Sequence, residues 1–155
     1  MDALSALLDL GRRARQARQA RELGFLLVND THALVPYRQA VLWLADEGVY
    51  ALSGVVQPEA NAPYVLWIQA LCTHLVAQGG EPVRALTAHD LPPQLADQWA
   101  DWWPSHAVWL ALPQADGEQA CLAGGLLLAR DEVWSPQELA LLFEWTQTWQ
   151  HAFMT

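Results

Sequence analysis

The chain has 155 residues, of which 53% are hydrophobic and 16% charged, and its formal net charge at pH 7 is −9. This composition argues against a disordered chain, and the length suits one domain with a core that needs no disulfide or metal to hold it. The sequence contains no lysine, and the acidic balance argues against a nucleic-acid partner, because phosphate contacts require clustered cations.

Cysteine content and hydropathy indicate the compartment. Cys72 and Cys121 are too few for a disulfide framework, which favours a reducing environment. No apolar run reaches the roughly 18–20 residues of a membrane span, and no secretory signal pattern is visible. We therefore expect a cytoplasmic domain. It can belong to a longer protein, in which case membrane contact would come only through an adjoining segment.

The N-terminal region has a charge pattern of its own. Five of the eight arginines lie between Arg12 and Arg21, which we interpret as a solvated helix face. Contact with anionic lipid headgroups is the alternative. Residues 11–35 have the composition and spacing of one long helix that can extend from the domain, with Gly24 as a weak point and Pro36 ending it.

The central region alternates between strand and helix patterns. In chain order, the sequence predicts a hairpin of Tyr37–Leu44 and Val49–Val56, a helix between Pro63 and Gly79, a strand Pro82–Leu86, a short helix after Pro93 that ends at Pro104, and a second hairpin of Ala107–Leu112 and Ala120–Ala129. Both faces of the first hairpin are apolar, which predicts a sheet covered on both sides. Gly124 and Gly125 predict a bulge or a close backbone approach.

The last helix has a well-defined start. Ser135 as N-cap, Pro136 at the first helical position and Glu138 at the third form a capping box, and Trp134 and Leu139 form a hydrophobic staple.

Beyond that start, the last helix carries more apolar surface than one sheet face needs. Leu139, Leu142, Trp149 and Phe153 mark one stripe, whereas Leu141, Trp145 and Ala152 mark another. A partner helix is therefore expected.

This order of elements resembles a GAF domain. The segment 33–44 is similar to the family's passage from helix to first strand, and Gly125–Leu128 followed by Trp134–Glu138 is similar to its ending. The resemblance implies an α+β fold, with a central antiparallel sheet of about six strands, helices on both faces, and residues 1–155 as a single domain. A weaker resemblance, carried by Val28–His32 and Pro36–Ala40, is to the cytosolic GAF-like segment before the membrane anchor of bacterial HlyD-type secretion or efflux adaptors.

The GAF resemblance implies a small-molecule pocket between the sheet and the helices on one face. Trp67, Trp99 and Trp103 would form its aromatic wall, with His74 and Arg84 as polar groups that orient a ligand. The alternative is that these rings are ordinary core packing.

The ligands known for specialised members do not match this sequence. Bilin-binding members commonly carry a cysteine followed directly by histidine, but here the run is Cys72-Thr73-His74. Members that bind cyclic nucleotides carry an Asn-Lys-Phe-Asp-Glu pattern, which a chain without lysine cannot contain. The cofactor, if there is one, stays unknown.

Metal and catalytic sites are not indicated. The spacing of Cys72, His74, His89 and His106 matches no known ligand pattern, so no metal is expected. GAF-type methionine sulfoxide reductases use a group of cysteines, and two distant ones predict no enzyme and no catalytic residue.

A two-fold homodimer is the expected assembly, because the resemblance implies dimer contacts through the terminal helices. Leu141, Trp145 and Trp149 are the candidate contact residues. Two functional hypotheses then stand beside each other: a ligand or signal sensor, and an interaction or dimerisation module with a filled pocket. A cavity of about 300 Å³ or more would favour the first.

Overall fold

A computed structural model describes residues 2–54, 59–113 and 122–154. The helices are α1 (Ala3–Gln16), α2 (Ala20–Asp30), α3 (Pro63–Gln78), α4 (Pro93–Trp102) and α5 (Pro136–Met154), with short 3-10 turns at Thr31–Ala33 and Ala88–Asp90. The strands are β1 (Gln39–Leu44), β2 (Gly48–Leu52), β3 (Val83–Leu86), β4 (His106–Pro113) and β5 (Leu122–Arg130). They form an antiparallel sheet in the order β2-β1-β5-β4-β3.

The sheet is covered by helices on both faces, as the apolar hairpin predicts. Alternate residues of β1 point to opposite sides: Ala40 and Leu42 join the core beneath α1, α2 and α5, whereas Val41 and Trp43 join the core beneath α3 and α4. The α+β class is therefore confirmed. Five strands, rather than about six, lie in the described part of the chain.

The predicted single helix over residues 11–35 is wrong. The chain forms α1 and α2, and the backbone between them is extended at Ala17, where φ is −64° and ψ is 140°. The break has a packing reason, because α1 lies along α5 whereas α2 packs on β1 and β2. A 2.7 Å ion pair between Arg13 and Asp30 joins the two helices.

Gly24 does not interrupt α2, and it lies against Tyr50 of β2. A Cβ added there would lie 2.9 Å from Cε2 of Tyr50 on β2. The missing side chain lets the helix approach the sheet edge, at the cost in helix propensity that glycine carries.

The remaining predicted elements agree with the structure to within a few residues. The helix between Pro63 and Gly79 and the short helix after Pro93 are both present. The predicted strand ends at residues 55–56 and 120–121 lie outside the described residues. The close backbone approach expected at Gly124 and Gly125 is present at Gly124, where an added Cβ would collide with the Trp43 carbonyl of β1, whereas at Gly125 the Trp109 ring occupies the space that a Cβ would take.

The start of α5 forms as predicted. Ser135 N–H donates to Glu138 at 2.9 Å, and Glu138 N–H donates to the Ser135 hydroxyl at 3.1 Å, which completes the capping box.

The two apolar stripes of α5 find their partners within the same chain. Trp145 Nε1 donates to Thr31 Oγ1, and Trp149 Nε1 donates to the Leu23 carbonyl, each at 2.7 Å. Both indole side chains are fully buried. The prediction that Trp145 and Trp149 form a dimer contact is therefore wrong, because α1 and α2 of the same chain already cover this part of α5. Leu141 is only half-buried, and its dimer role stays a prediction.

No helix among the described residues is long and apolar enough to span a membrane.

Candidate functional site between the sheet and helices α3 and α4

Three of the predicted ligand-binding residues lie together between α3 and α4. Trp67 comes from α3, Trp99 from α4 and Trp103 from the residue that ends α4. The ring centroids are 4.9 Å apart for Trp67 and Trp103, 5.2 Å for Trp99 and Trp103, and 6.2 Å for Trp67 and Trp99, all edge to face. We call these three residues the tryptophan layer.

Each indole N–H of the tryptophan layer has a partner inside the chain. Trp67 donates to the Leu95 carbonyl at 3.0 Å, and Trp99 donates to the Pro104 carbonyl at 2.7 Å. Trp103 donates to the Tyr64 hydroxyl at 2.7 Å. None of the three side chains is more than 5% exposed. The residues predicted to form a cavity wall therefore pack against one another.

A polar network that the sequence reasoning missed closes this layer toward β1. The Tyr64 hydroxyl donates to Gln39 Oε1 at 3.0 Å, and Gln39 Nε2 donates to the Trp102 carbonyl at 3.1 Å. Burial raises the pKa of Tyr64 to about 12, so its hydroxyl stays a donor at neutral pH. The sequence carries one signal of this network, because Gln39 is a polar residue at the start of an otherwise apolar strand.

Three side chains at this face keep an unpaired polar atom. His74 Nε2 on α3, Trp102 Nε1 on α4 and Arg84 Nε on β3 are buried and have no hydrogen-bond partner among the described residues. An unpaired buried N–H or imidazole nitrogen costs free energy, so these atoms are the positions at this face of the sheet where an added polar group would gain most.

Arg84 does not join the tryptophan layer. It lies on β3 and donates to the Leu75 carbonyl at 3.2 Å and to Gln78 at 3.1 Å, which caps the end of α3. Leu75 is eight residues beyond Trp67, or about 12 Å along the helix axis. The structure thus brings the three tryptophans together and gives Arg84 a separate role at the far end of α3.

Cys72 offers no reactive group. Its side chain is fully buried in the core beneath α3, and burial raises the pKa of the Cys72 thiol well above its usual range. No group of three or more metal-ligating side chains occurs among the described residues. Cys121 lies outside those residues.

The structure is similar to solved structures of GAF domains. The chromophore-binding domain of an unusual bacteriophytochrome from R. palustris aligns with a TM-score of 0.70 at 8% identity, over 96% of this chain and 60% of that one. The phycoerythrobilin-bound GAF domain of a cyanobacterial phytochrome gives 0.65 at 13% identity, over 98% and 94%. The blue-light-absorbing form of the Thermosynechococcus elongatus PixJ GAF domain gives 0.60 at 17% identity, over 86% and 84%.

The chain therefore spans 60% of the length of the bacteriophytochrome domain that it matches. No protein-family model and no curated protein sequence matches it. The resemblance to secretion or efflux adaptors stays a prediction. At these low identities the agreement concerns architecture, and on that ground the chain has the fold of a GAF domain.

Proposed function

We propose that this chain is a non-enzymatic, GAF-type regulatory domain of the cytoplasm that works through contact with other protein segments. In this proposal the tryptophan layer holds α3 and α4 rigidly on the sheet. The observation that carries the proposal is the layer itself: three mutually packed indoles whose N–H groups are all satisfied by the chain.

A ligand that entered this layer would have to displace an indole. The displaced ring would lose its buried contacts and its hydrogen bond, a loss comparable to the roughly 3–5 kcal/mol of a tryptophan-to-alanine change in a core. A small molecule must recover that amount before any net binding appears.

Native mass spectrometry of protein purified from its own host tests this proposal. We expect no small molecule bound in the tryptophan layer. A retained molecule that shifts the indole N–H signals of Trp67, Trp99 and Trp103 in an NMR spectrum would contradict it.

Ligand sensing at the same face of the sheet is the second candidate function. It is favoured by the unpaired His74 and Trp102 nitrogens and by the bound phycoerythrobilin of one structural neighbour. Thioether attachment of a bilin finds no support at Cys72, which is buried and whose thiol pKa is raised. We expect phycocyanobilin added to the refolding protein to leave no covalent adduct in a denaturing mass spectrum. An adduct at Cys72 would make ligand sensing the favoured function.

We further propose that the domain forms a homodimer through the outer face of α1. Leu4 and Leu8 lie one turn apart on that helix, and each is 65% exposed. Analytical ultracentrifugation is expected to show a dimer that Leu8→Glu weakens by at least about tenfold, since a charge would have to be buried. Leu66→Glu, at an exposed leucine of α3, is the control and should leave the dimer intact. A monomeric wild-type chain contradicts the dimer.

A further inference from the structure

A groove between α1 and α5 lies on the opposite side of the sheet from the tryptophan layer. Its volume is about 630 Å³, within the range of roughly 300–1,000 Å³ that small-molecule sites occupy. The walls come from the end of α1 and the second half of α5. Its lining includes Ala14, Arg15, Ala17, Glu144, Thr148 and Ala152.

The groove is lined by one arginine and one glutamate that are not paired with each other, and His151 lines it as well. Arg12 and Arg13 of the arginine cluster form ion pairs with Asp9 and Asp30. Arg15 and Glu144, by contrast, take part in none of the ion pairs found among the described residues, although both line the groove. Their charged groups are therefore more than 4 Å apart and form no direct ion pair.

Gly11 places the Arg15 side chain at this groove. A Cβ on Gly11 would lie 3.4 Å from Arg15 Nη1 and 3.5 Å from Thr148 Cγ2 of α5. The guanidinium thus lies over the glycine, on the side of α1 that faces α5. A guanidinium presents paired N–H donors that match a carboxylate.

We propose that this groove binds a zwitterion of the α-amino-acid class, independently of what the tryptophan layer does. Arg15 would hold the carboxylate and Glu144 the ammonium group. Ala14, Ala17 and Ala152 offer an apolar floor for the aliphatic part of the ligand, and the Thr148 hydroxyl offers a further polar contact.

Net charge favours a zwitterion over a simple anion. The chain carries a formal charge of −9, which repels anions at long range, whereas a molecule with no net charge is not repelled. Two fixed charges of opposite sign also favour molecules that carry both charges, because a molecule with only one charge leaves Arg15 or Glu144 without a partner.

The experiment is calorimetric titration of the full chain with each of the common L-amino acids, and with acetate and ethylamine as probes that carry one charge each. We expect at least one amino acid to bind more tightly than either single-charge probe. Arg15→Gln and Glu144→Gln should each weaken that binding about 10- to 100-fold, the worth of one charged hydrogen-bonded contact.

Arg18→Gln and Glu81→Gln are the matched controls, since both residues are exposed and lie outside the groove. These variants should bind as the wild type does. Amide NMR shifts should centre on Arg15, Thr148 and Ala152. The proposal is overturned if no amino acid binds more tightly than about 10 mM, if both groove variants bind normally, or if the shifts are confined to the tryptophan layer.

Discussion

Arg130 at the end of β5 is saturated with hydrogen bonds, although it is only 5% exposed. Its five N–H donors reach both carboxylate oxygens of Glu138 and the carbonyls of Pro36, Glu132 and Val133. Its guanidinium carbon lies 4.0 Å from the centroid of the Trp134 ring. One side chain thereby fixes the turn between β5 and α5, because a buried charge is tolerated only when it is fully paired.

The Arg130 hydrogen bond lowers the pKa of Glu138 from 4.5 to about 2. The stabilisation that the ionised Glu138 gives to the folded state is therefore complete at pH values above its ordinary pKa of 4.5, and it is lost as the pH falls toward 2. We expect Glu138→Gln to lower the free energy of unfolding by on the order of 2–3 kcal/mol at neutral pH, with a smaller difference near pH 3.

Urea unfolding at the two pH values measures this difference. Glu144→Gln is the control, because Glu144 lies exposed on the same helix and should change stability little at either pH. A Glu138→Gln effect of equal size at both pH values would speak against the ionic origin.

Gly125 on β5 has a packing role that a substitution can test. The Trp109 ring of the neighbouring strand occupies the position of its absent Cβ, so an alanine forces the ring to move. We expect Gly125→Ala to lower the free energy of unfolding by about 1–3 kcal/mol. In a Trp109→Leu background the alanine should cost clearly less, as a double-mutant cycle by urea unfolding would show. Equal costs in both backgrounds would remove the steric explanation.

At the scale of elements, α5 shows why an apolar stripe does not identify its own partner. The sequence correctly predicts a second helix against α5, because its two stripes exceed one sheet face. A second copy of the chain and a distant segment of the same chain bury such a stripe equally well. In this chain the partner is internal, since the break at Ala17 lets α1 lie on α5 while α2 packs on β1 and β2.

Trp145 tests this internal role. Trp145→Phe removes the N–H that binds Thr31 Oγ1, and we expect the free energy of unfolding to fall by about 1–2 kcal/mol with no change of oligomeric state. Trp102→Phe is the matched control, because the Trp102 Nε1 has no hydrogen-bond partner among the described residues. It should cost less in the same urea titration. Dissociation of a dimer by Trp145→Phe would restore the dimer assignment.

At the scale of the whole molecule, the two faces of one sheet belong to two separate hydrophobic cores. Leu126 and Leu127 are neighbours on β5, and each is fully buried in a different core. Loss of either helical layer would expose one face of the same strands, so we expect a single cooperative unfolding transition. Tryptophan fluorescence and far-UV circular dichroism should give the same urea midpoint. Leu71→Ala, a change beneath α3, should lower both midpoints together. Two separate transitions would contradict this coupling.

The candidate site was only partly predictable from sequence. Trp67, Trp99 and Trp103 were expected to lie near one another, and they do. The network around them cannot be predicted from the sequence, because Tyr64 of α3 accepts from Trp103 at the end of α4 and donates to Gln39 of β1, contacts that form only in three dimensions. The same limit applies to Arg84, whose neighbours at the end of α3 depend on where β3 joins the sheet.

The sequence by itself determined the features that depend on neighbouring residues. It predicted the capping box at Ser135, the ends of α3, the two hairpins and a sheet apolar on both faces, because local backbone preferences and side-chain periodicity decide these. Only the tertiary structure decided that α1 and α2 are separate helices, that Trp145 and Trp149 face inward, and that the indoles of the tryptophan layer pack against one another. Those outcomes depend on which distant surfaces meet, and the periodicity of one segment does not specify its partner.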